Sequence, residues 1–214
     1  MENKKALIFD LGGVLIDIDY QATEDAFIAL GTEDFAERYT QFAQQDLFDL
    51  FETGQISPQH FVNKVLPLTR PGTTPNQVVA AWNAMLGGFP KEKIDYLLAL
   101  KKHRPIYLLS NTNAIHWEVV KQQWKKKTDI ALEAVFDRIF LSHEIQMRKP
   151  HVATYNWVLD QIELANDEVL FIDDSPQHVA GAKEAGITVT AMVPVSALKG
   201  WNVVTTENND QPDW

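Results

Sequence analysis

Apolar runs and amphipathic stretches alternate along the second half of the chain. Short runs with the length of buried strands occur at residues 105–109, 138–141 and 168–172, and the stretches between them repeat apolar residues at helical spacing. A last strand is predicted at residues 187–193, and helices are predicted at residues 91–102, 114–127, from Pro150 to about residue 164, and from Pro176 to Gly186. Strands separated by helices predict right-handed crossovers and a parallel sheet with helices on both faces.

The first apolar run begins at Ala6 and ends in Asp10, and two glycines, Gly12 and Gly13, follow at once. Its length and the flanking glycines favour a strand with Asp10 at its carboxyl end. Both glycines permit backbone conformations that are closed to other residues, and both let the main chain approach a ligand.

Residues 21–88 show a different pattern, with apolar positions at helical spacing and no strand-like run. Ser57-Pro58 and Thr74-Pro75 are typical helix starts, and Gly54 stands where a left-handed helix end is expected. This block interrupts the alternation of strands and helices, so it is an insert. The predicted organisation is an α/β fold with its parallel-sheet core at residues 1–16 and 89–214 and an all-helical cap at residues 17–88.

Charge and composition narrow the function classes. The 214 residues carry a net charge of −10 and no cysteine. The acidic balance argues against a nucleic-acid partner, and the basic concentration at residues 122–127 is interpreted as a helix end. Disulfides, thiolate metal sites and cysteine nucleophiles are excluded. The sequence offers no signal peptide and no membrane span, so we expect a cytoplasmic protein with no membrane partner.

Polar residues of several chemical types follow the predicted strands. Asp10, Ser110-Asn111 and Asp173-Asp174 come directly after three of them, and Lys149 lies in a loop after a fourth. Because the carboxyl ends of parallel strands meet at one edge of a sheet, we expect these side chains to lie together. Carboxylates, a lysine and a hydroxyl suit a hard cation such as Mg²⁺ and an anionic substrate, and Asp10 could attack phosphorus.

These four stretches, read in order, resemble the four motifs of the haloacid dehalogenase-like hydrolase superfamily. They are Phe-Asp-Leu-Gly-Gly-Val-Leu at residues 9–15, Ser-Asn-Thr at residues 110–112, Lys149-Pro150, and Asp-Asp-Ser-Pro at residues 173–176. The resemblance covers nearly the whole chain, including a helical cap inserted after the first motif. It implies a Rossmann-like core and a phosphatase that uses Mg²⁺.

The resemblance also implies a role for each motif residue. Asp10 matches the nucleophile, Ser110 and Asn111 match the residues that bind the phosphoryl group, and Lys149 matches the lysine that balances charge. The implied metal ligands are Asp10, the carbonyl of Gly12, Asp174, and Asp173 directly or through a bound water.

One departure from the family pattern concerns the general acid and base. Most phosphatases of the family place a second aspartate two residues after the nucleophile, and this chain has Gly12 there. Loss of such a group typically costs on the order of 100- to 10,000-fold in rate. An aldose 1-phosphate needs little leaving-group protonation, and a similar subgroup of sugar-phosphate phosphatases shares Asp-Leu-Gly and the later Asp17-Ile18-Asp19, so Asp17 or Asp19 is one hypothetical replacement.

The glycine at position 12 is also compatible with two alternative functions. One is metal-independent 2-haloacid dehalogenation, although the adjacent acids Asp173 and Asp174 speak against it. The second is a ligand-binding protein that has kept the fold and lost fast catalysis.

We therefore expect a Mg²⁺-dependent phosphomonoester hydrolase acting on a small phosphorylated metabolite, most simply a sugar phosphate, as a monomer or homodimer. The helical cap is predicted to close over the site and to supply specificity. Glu52 is the predicted substrate contact from the cap, and Trp82 is expected chiefly to pack in the cap core.

Overall fold

Five parallel strands form the sheet at the centre of the computed structural model, which describes residues 4–32 and 47–187 and the backbone of residues 190–191. The strands are β1 (Ala6–Phe9), β2 (Ile106–Ser110), β3 (Arg138–Leu141), β4 (Val169–Ile172) and β5 (Thr190–Ala191), in the order β3-β2-β1-β4-β5. The predicted α/β fold with a parallel sheet is confirmed. Of the strand predicted at residues 187–193, the structure has Thr190–Ala191, and residues 188–189 and 192–193 lie outside the described residues.

Helices predominate in residues 17–32 and 47–88, the described part of the insert. They are α1 (Tyr20–Ala29), α2 (Leu47–Glu52), α3 (Pro58–Val65) and α4 (Pro75–Trp82), with 3₁₀ turns at Leu66–Leu68 and Asn83–Met85. The two predicted helix starts are confirmed, because Ser57 accepts from the N–H of His60 and Thr74 forms a capping box with Gln77. Gly54 has a φ of +67°, as expected at the end of α2.

The remaining helices precede β2 or connect the later strands. They are α5 (Lys91–Lys101), α6 (Ala114–Lys125), α7 (Leu132–Val135), α8 (Ser142–Ile145), α9 (Val152–Ile162) and α10 (Pro176–Glu184). The predicted helices correspond to α5, α6, α9 and α10 with ends that differ by a few residues. The short helices α7 and α8 were not predicted, since four residues are too few for a periodic pattern.

The apolar residues form three clusters. Alternate residues of β1 face opposite sides of the sheet, so Leu7 and Phe9 pack with α5 and α6, while Ala6 and Ile8 pack with α9 and α10. The third cluster joins α1 to α4 and includes Ile115 at the start of α6. The helical segment therefore has its own apolar interior and also packs on the core.

Two antiparallel linkers join the helical segment to the sheet. Ile18 pairs with Leu86, the N–H of Asp19 donates to the carbonyl of Met85 (2.9 Å), and the N–H of Gly87 donates to the carbonyl of Asp17 (2.8 Å). This ladder lies beside the predicted cap boundaries. Within the described ranges, no helix combines the length and the apolar character needed to cross a membrane.

Candidate active site

Asp10 lies immediately after β1, at the carboxyl end of the sheet. Its N–H donates to the carbonyl of Ile172 in β4 (2.8 Å), and its side chain is buried. Gly13 has a φ of +77°, and a Cβ atom there would lie 2.0 Å from Oδ2 of Asp174. The positive φ belongs to Gly13 and not to Gly12, so of the two glycines Gly13 uses the backbone freedom that both permit.

Lys149 is the charged centre of the site. Its side chain is fully buried, with Nζ 2.6 Å from Oδ1 of Asp10 and 2.5 Å from Oδ2 of Asp173. Burial opposes the charge of the ammonium group, but the two carboxylates outweigh this effect and raise the pKa of Lys149. The lysine is thus a fixed positive charge beside Asp10, as predicted from the motif.

The pKa values of the two carboxylates that contact Lys149 shift in opposite directions. Burial raises the pKa of Asp10 to about 6. The attraction of Lys149 opposes this rise, and the repulsion of Asp173 adds to it. Burial also opposes ionisation of Asp173, but its hydrogen bond with His178 and its contacts with Lys149 lower its pKa. Asp173 also accepts from the N–H of Ser175 (2.8 Å). The charged form of Asp173 is therefore favoured beside the lysine.

Asn111 holds the backbone of Lys149 in place. Its side-chain amide donates to the carbonyl of Lys149 (2.9 Å) and accepts from the N–H of Lys149 (3.0 Å). The peptide bond from Lys149 to Pro150 is cis. Asn111 therefore has a positioning role that the sequence did not reveal, in addition to the substrate contact predicted for it.

Ser110 is the last residue of β2, and its buried side chain borders the site. The helix predicted at residues 114–127 follows it after three residues. Helix α6 begins at Ala114 with Asn113 as its N-cap, and the N–H of Thr112 donates to Oγ of Ser142 (2.9 Å). The intervening extended residues place the helix N-terminus further along the chain, and the Thr112 amide is already bound.

Three carboxylates meet at this edge of the sheet. Oxygens of Asp10, Asp173 and Asp174 lie within 4.8 Å of one another. Asp174 is the exposed member, and burial together with repulsion from Asp173 raises its pKa. Such a set of hard oxygen donors can hold a divalent cation.

The site opens into a cavity of about 400 Å³ between the sheet edge and the helical segment. Its core side includes Asp10, Gly12, Ser110, Asn111, Asp174 and His178, and its helical side includes Tyr20, Glu52, Trp82, Met85 and Leu86. The structure thus brings the predicted residues Asp10, Ser110 and Asp174 into one cavity with Glu52 from the insert.

Glu52 lies at the end of α2 and enters the cavity from the helical side. Its Oε2 atom is 3.2 Å from Nη2 of Arg148, and Nη1 of the same arginine contacts Asp49. Burial raises the pKa of Glu52 to about 7, against the attraction of Lys149. Arg148 was not predicted from the sequence as a site residue, although its position next to Lys149 could have indicated it.

Trp82 packs as expected within the helical segment. Its ring stacks on Phe48 (centroids 5.6 Å apart) and on His116 (5.1 Å), and its edge borders the cavity. Nε2 of His116 donates to the carbonyl of Trp82 (3.0 Å), and Nδ1 accepts from the amide of Asn113 (3.1 Å). Burial lowers the pKa of His116 to about 4, so the ring is a neutral bridge between α4 and α6.

Asp17 and Asp19 do not border the cavity. Asp19 is the N-cap of α1, where Oδ1 accepts from the N–H of Ala22 (3.2 Å), and Asp17 lies 3.8 Å from Nζ of Lys93. The hypothesis that either replaces the acid missing at Gly12 is therefore wrong for this geometry. Tyr20, His116, Arg148 and His178 are the cavity residues that the sequence did not single out.

An aspartate contacts a buried lysine beside an acidic pair, at the carboxyl edge of a parallel sheet. This arrangement is the one expected for the hydrolase class that the motifs resemble. The family model described as haloacid dehalogenase-like hydrolase matches residues 4–186. The chain belongs to this family.

Its relatives include phosphatases. It is 29% identical over 182 residues to a D-ribitol-5-phosphate phosphatase of Bacteroides thetaiotaomicron, covering 85% of this chain and 88% of that protein. It is 27% identical over 190 residues to a sesquiterpene phosphatase of Aspergillus oryzae, covering 86% and 87% respectively.

A solved structure agrees with this comparison. A haloacid dehalogenase family enzyme of B. thetaiotaomicron, crystallised with magnesium and inorganic phosphate, is 34% identical with a TM-score of 0.81. That comparison covers 88% of this chain and 93% of the other. An L-2-haloacid dehalogenase, at 16% identity and a TM-score of 0.58, shares the fold.

Proposed function

We propose that this chain is a Mg²⁺-dependent phosphomonoester hydrolase that acts on a small, sugar-like phosphorylated metabolite through an aspartyl phosphate on Asp10. The observation that carries the proposal is the contact of Asp10 with the fully buried Lys149, 2.6 Å away, at the edge where Asp174 also lies. The similarity to a D-ribitol-5-phosphate phosphatase and to an enzyme crystallised with magnesium and phosphate supports it.

The residues present fit a magnesium ion. Asp10 and Asp174 offer carboxylate oxygens within 4.8 Å of each other, and the missing side chain at Gly13 leaves the room that Asp174 occupies. Asp173 already binds Lys149 and His178, so of the two alternatives it contacts the metal through a bound water. When bound, Mg²⁺ supplies charge neutralisation and orientation for the phosphoryl group.

The chain's own residues account for the two chemical steps. The carboxylate of Asp10 attacks phosphorus, and the leaving oxygen departs with its carbon skeleton. Lys149 offsets the negative charge of the phosphoryl oxygens, and Ser110 at the end of β2 holds one of them. Water then attacks the aspartyl phosphate and releases inorganic phosphate and free Asp10.

Residues 17–88 are the cap in this proposal. Their own apolar cluster supports a folded unit, and the two linkers at Ile18 and Leu86 support a hinge. The cap covers the leaving-group side of the cavity, excludes water during phosphoryl transfer and selects the substrate. The polar side chains of Tyr20 and Glu52, beside the indole edge of Trp82, suit a hydroxylated leaving group.

Phosphate release tests the proposal. D-ribitol 5-phosphate, aldose 1-phosphates and 6-phosphates are assayed with Mg²⁺ and with a chelator, using Asp10→Asn as the matched variant. We expect turnover that requires Mg²⁺ and falls by about 10⁴-fold or more in Asp10→Asn, since loss of a nucleophile removes the covalent route. Halide release from 2-haloacids that survives chelation, or no turnover of any phosphate, would refute the proposal.

A further inference from the structure

The group that protonates the leaving oxygen is missing from the motif, because position 12 carries no carboxylate. Among the described residues that border the cavity, the carboxylates are Asp10, Asp174 and Glu52. Asp10 is engaged by Lys149, and Asp174 lies with Asp10 in the acidic cluster. Of these three, Glu52 is the one that reaches the cavity from the leaving-group side.

We propose that Glu52 is the general acid and base of this enzyme, acting from the cap in place of the aspartate that is absent at Gly12. This inference rests on the proposed phosphatase function. It assigns a catalytic role to a residue for which the sequence indicated only substrate contact.

The Glu52 carboxyl borders the same cavity as Asp10 and is connected to the core by Arg148. Its side chain is 28% exposed, and its Oε2 atom is buried without a hydrogen bond although it lies 3.2 Å from Nη2 of Arg148. Arg148 directly precedes Lys149, whose Nζ is 2.6 Å from Asp10. The arginine therefore ties the cap carboxyl to the same loop that supplies the catalytic lysine.

The surroundings of Glu52 suit a proton donor at neutral pH. Lys149 and Arg148 interact with it electrostatically from the core loop, Tyr20 does so from α1, and Asp49 lies one turn earlier on α2. Burial outweighs the attraction of Lys149 and brings the pKa of Glu52 to about 7. A general acid works best with a pKa near the working pH.

The other titratable groups of the cavity have different partners. Both ring nitrogens of His116 are used, by the carbonyl of Trp82 and by Asn113, and its low pKa of about 4 keeps it neutral. His178 binds Asp173 through Nδ1, 2.9 Å from Oδ2, which places it behind the lysine. Tyr20 also borders the cavity from the helical side, but burial raises the pKa of its phenol, so Glu52 is the stronger acid on the side where the leaving oxygen departs.

The proton balance closes over the two steps. As an oxygen of Asp10 bonds to phosphorus, the bond from phosphorus to the leaving oxygen breaks, and protonated Glu52 transfers its proton to that oxygen. The resulting Glu52 carboxylate then takes a proton from water as the water oxygen attacks phosphorus. The bond to Asp10 breaks, phosphate leaves, and Glu52 is protonated again.

Leaving-group dependence separates this role from simple substrate binding. Glu52→Gln and Asp49→Asn are compared with the wild type on 4-nitrophenyl phosphate and on the alkyl phosphate that the wild type hydrolyses fastest. We expect Glu52→Gln to lower kcat on the alkyl phosphate by roughly 100- to 10,000-fold. On 4-nitrophenyl phosphate, whose leaving group needs no proton, we expect one rapid equivalent of nitrophenol followed by slow turnover, because dephosphorylation still needs the base.

Asp49→Asn is the matched control, since it removes the other carboxylate bound to Arg148 and leaves Glu52 in place. We expect it to change both substrates by the same small factor. As a second measurement, formate added to Glu52→Ala is expected to restore part of the lost alkyl phosphate activity, because it supplies a carboxylic acid to the vacated space.

Equal losses on both substrates in Glu52→Gln, without a burst and without formate rescue, would overturn the role of Glu52 and leave the phosphatase assignment intact. Absence of Mg²⁺-dependent phosphate release by the wild type would instead mark the failure of the proposed function itself.

Discussion

The two halves of the cavity are built in different ways. The core half, defined as Asp10, Ser110, Lys149, Asp173 and Asp174, follows the sheet strands or their loops and centres on a fully buried lysine with contacts of 2.5 and 2.6 Å. The cap half, defined as Tyr20, Glu52 and Trp82, meets the core loop where Glu52 contacts Arg148, and these two side chains are about a quarter exposed and far apart in sequence. The chemical step depends on preorganised buried charges, whereas leaving-group recognition depends on how the insert meets the core.

The largest effect is expected from Lys149→Met. This change leaves Asp10 and Asp173 without their shared counter-ion, and unpaired buried charge typically costs about 3–5 kcal/mol. We expect the free energy of unfolding in urea to fall by that amount at pH 7, and phosphate release to be lost.

Lys93→Met is the matched control, because Lys93 is also buried, at 2% exposed. Its Nζ atom has no hydrogen bond, and its nearest acid, Asp17, is 3.8 Å away. Burial lowers the pKa of this lysine, so its charge is a cost to the fold. We expect unchanged or higher stability in Lys93→Met, and equal losses in the two variants would contradict the assigned role of the Lys149 contacts.

The contrast between the halves also explains which parts of the site could be predicted from the sequence. Local rules suffice for the helix starts at Ser57 and Thr74, and a single apolar run places Asp10 at the end of β1. The residues of the core half could be predicted to lie together, because the carboxyl ends of parallel strands meet at one edge of the sheet. The contact of Glu52 with Arg148 joins residues far apart in sequence, and no periodic pattern encodes the meeting of a loop and a helix end.

The same limit applies within the core half. The motif suggests that Asn111 contacts substrate, but its bonds to the backbone of Lys149 depend on the path of a distant loop. In the same way, Oγ of Ser142 in a neighbouring element accepts from the N–H of Thr112, and no local pattern marks that partner. Tertiary partners decide how such polar groups are used.

A smaller effect is expected where the cap meets the core at Gly54. A Cβ atom here would lie 2.0 Å from the carbonyl oxygen of His143, and the φ of +67° is strained for alanine. We expect Gly54→Ala to lower stability by more than about 2 kcal/mol and to raise KM, because α2 and Glu52 must shift. Urea unfolding and steady-state kinetics measure the two effects.

Gly72→Ala is the control that separates the cost of backbone strain from the cost of a steric contact. Gly72 also has a positive φ, of +91°, but nothing lies within 4 Å of an added Cβ atom. We expect a loss of about 1 kcal/mol with KM unchanged, which is the cost of the backbone conformation alone. A shifted KM in Gly72→Ala, or an unshifted one in Gly54→Ala, would contradict the link between this contact and the substrate side of the cavity.

The last effect varies with pH and concerns the charge of Glu52 in the folded protein. Its pKa rises from 4.5 to about 7 on folding, so between these values the folded chain binds more protons than the unfolded chain. The contribution of Glu52 to the free energy of unfolding therefore falls as pH rises through this window. Glutamine cannot titrate, so Glu52→Gln escapes this loss.

We expect Glu52→Gln to match the wild type near pH 4.5 and to become more stable than it by about 3 kcal/mol at pH 7 and above. Urea unfolding at a series of pH values measures the difference between the two proteins. Asp10 also has a raised pKa but is present in both, so the difference isolates Glu52. A difference that stays constant from pH 4.5 to pH 8 would mean that the cap carboxyl is hydrated as in the unfolded chain. The cap half would then lack the buried acid that distinguishes it from the core half.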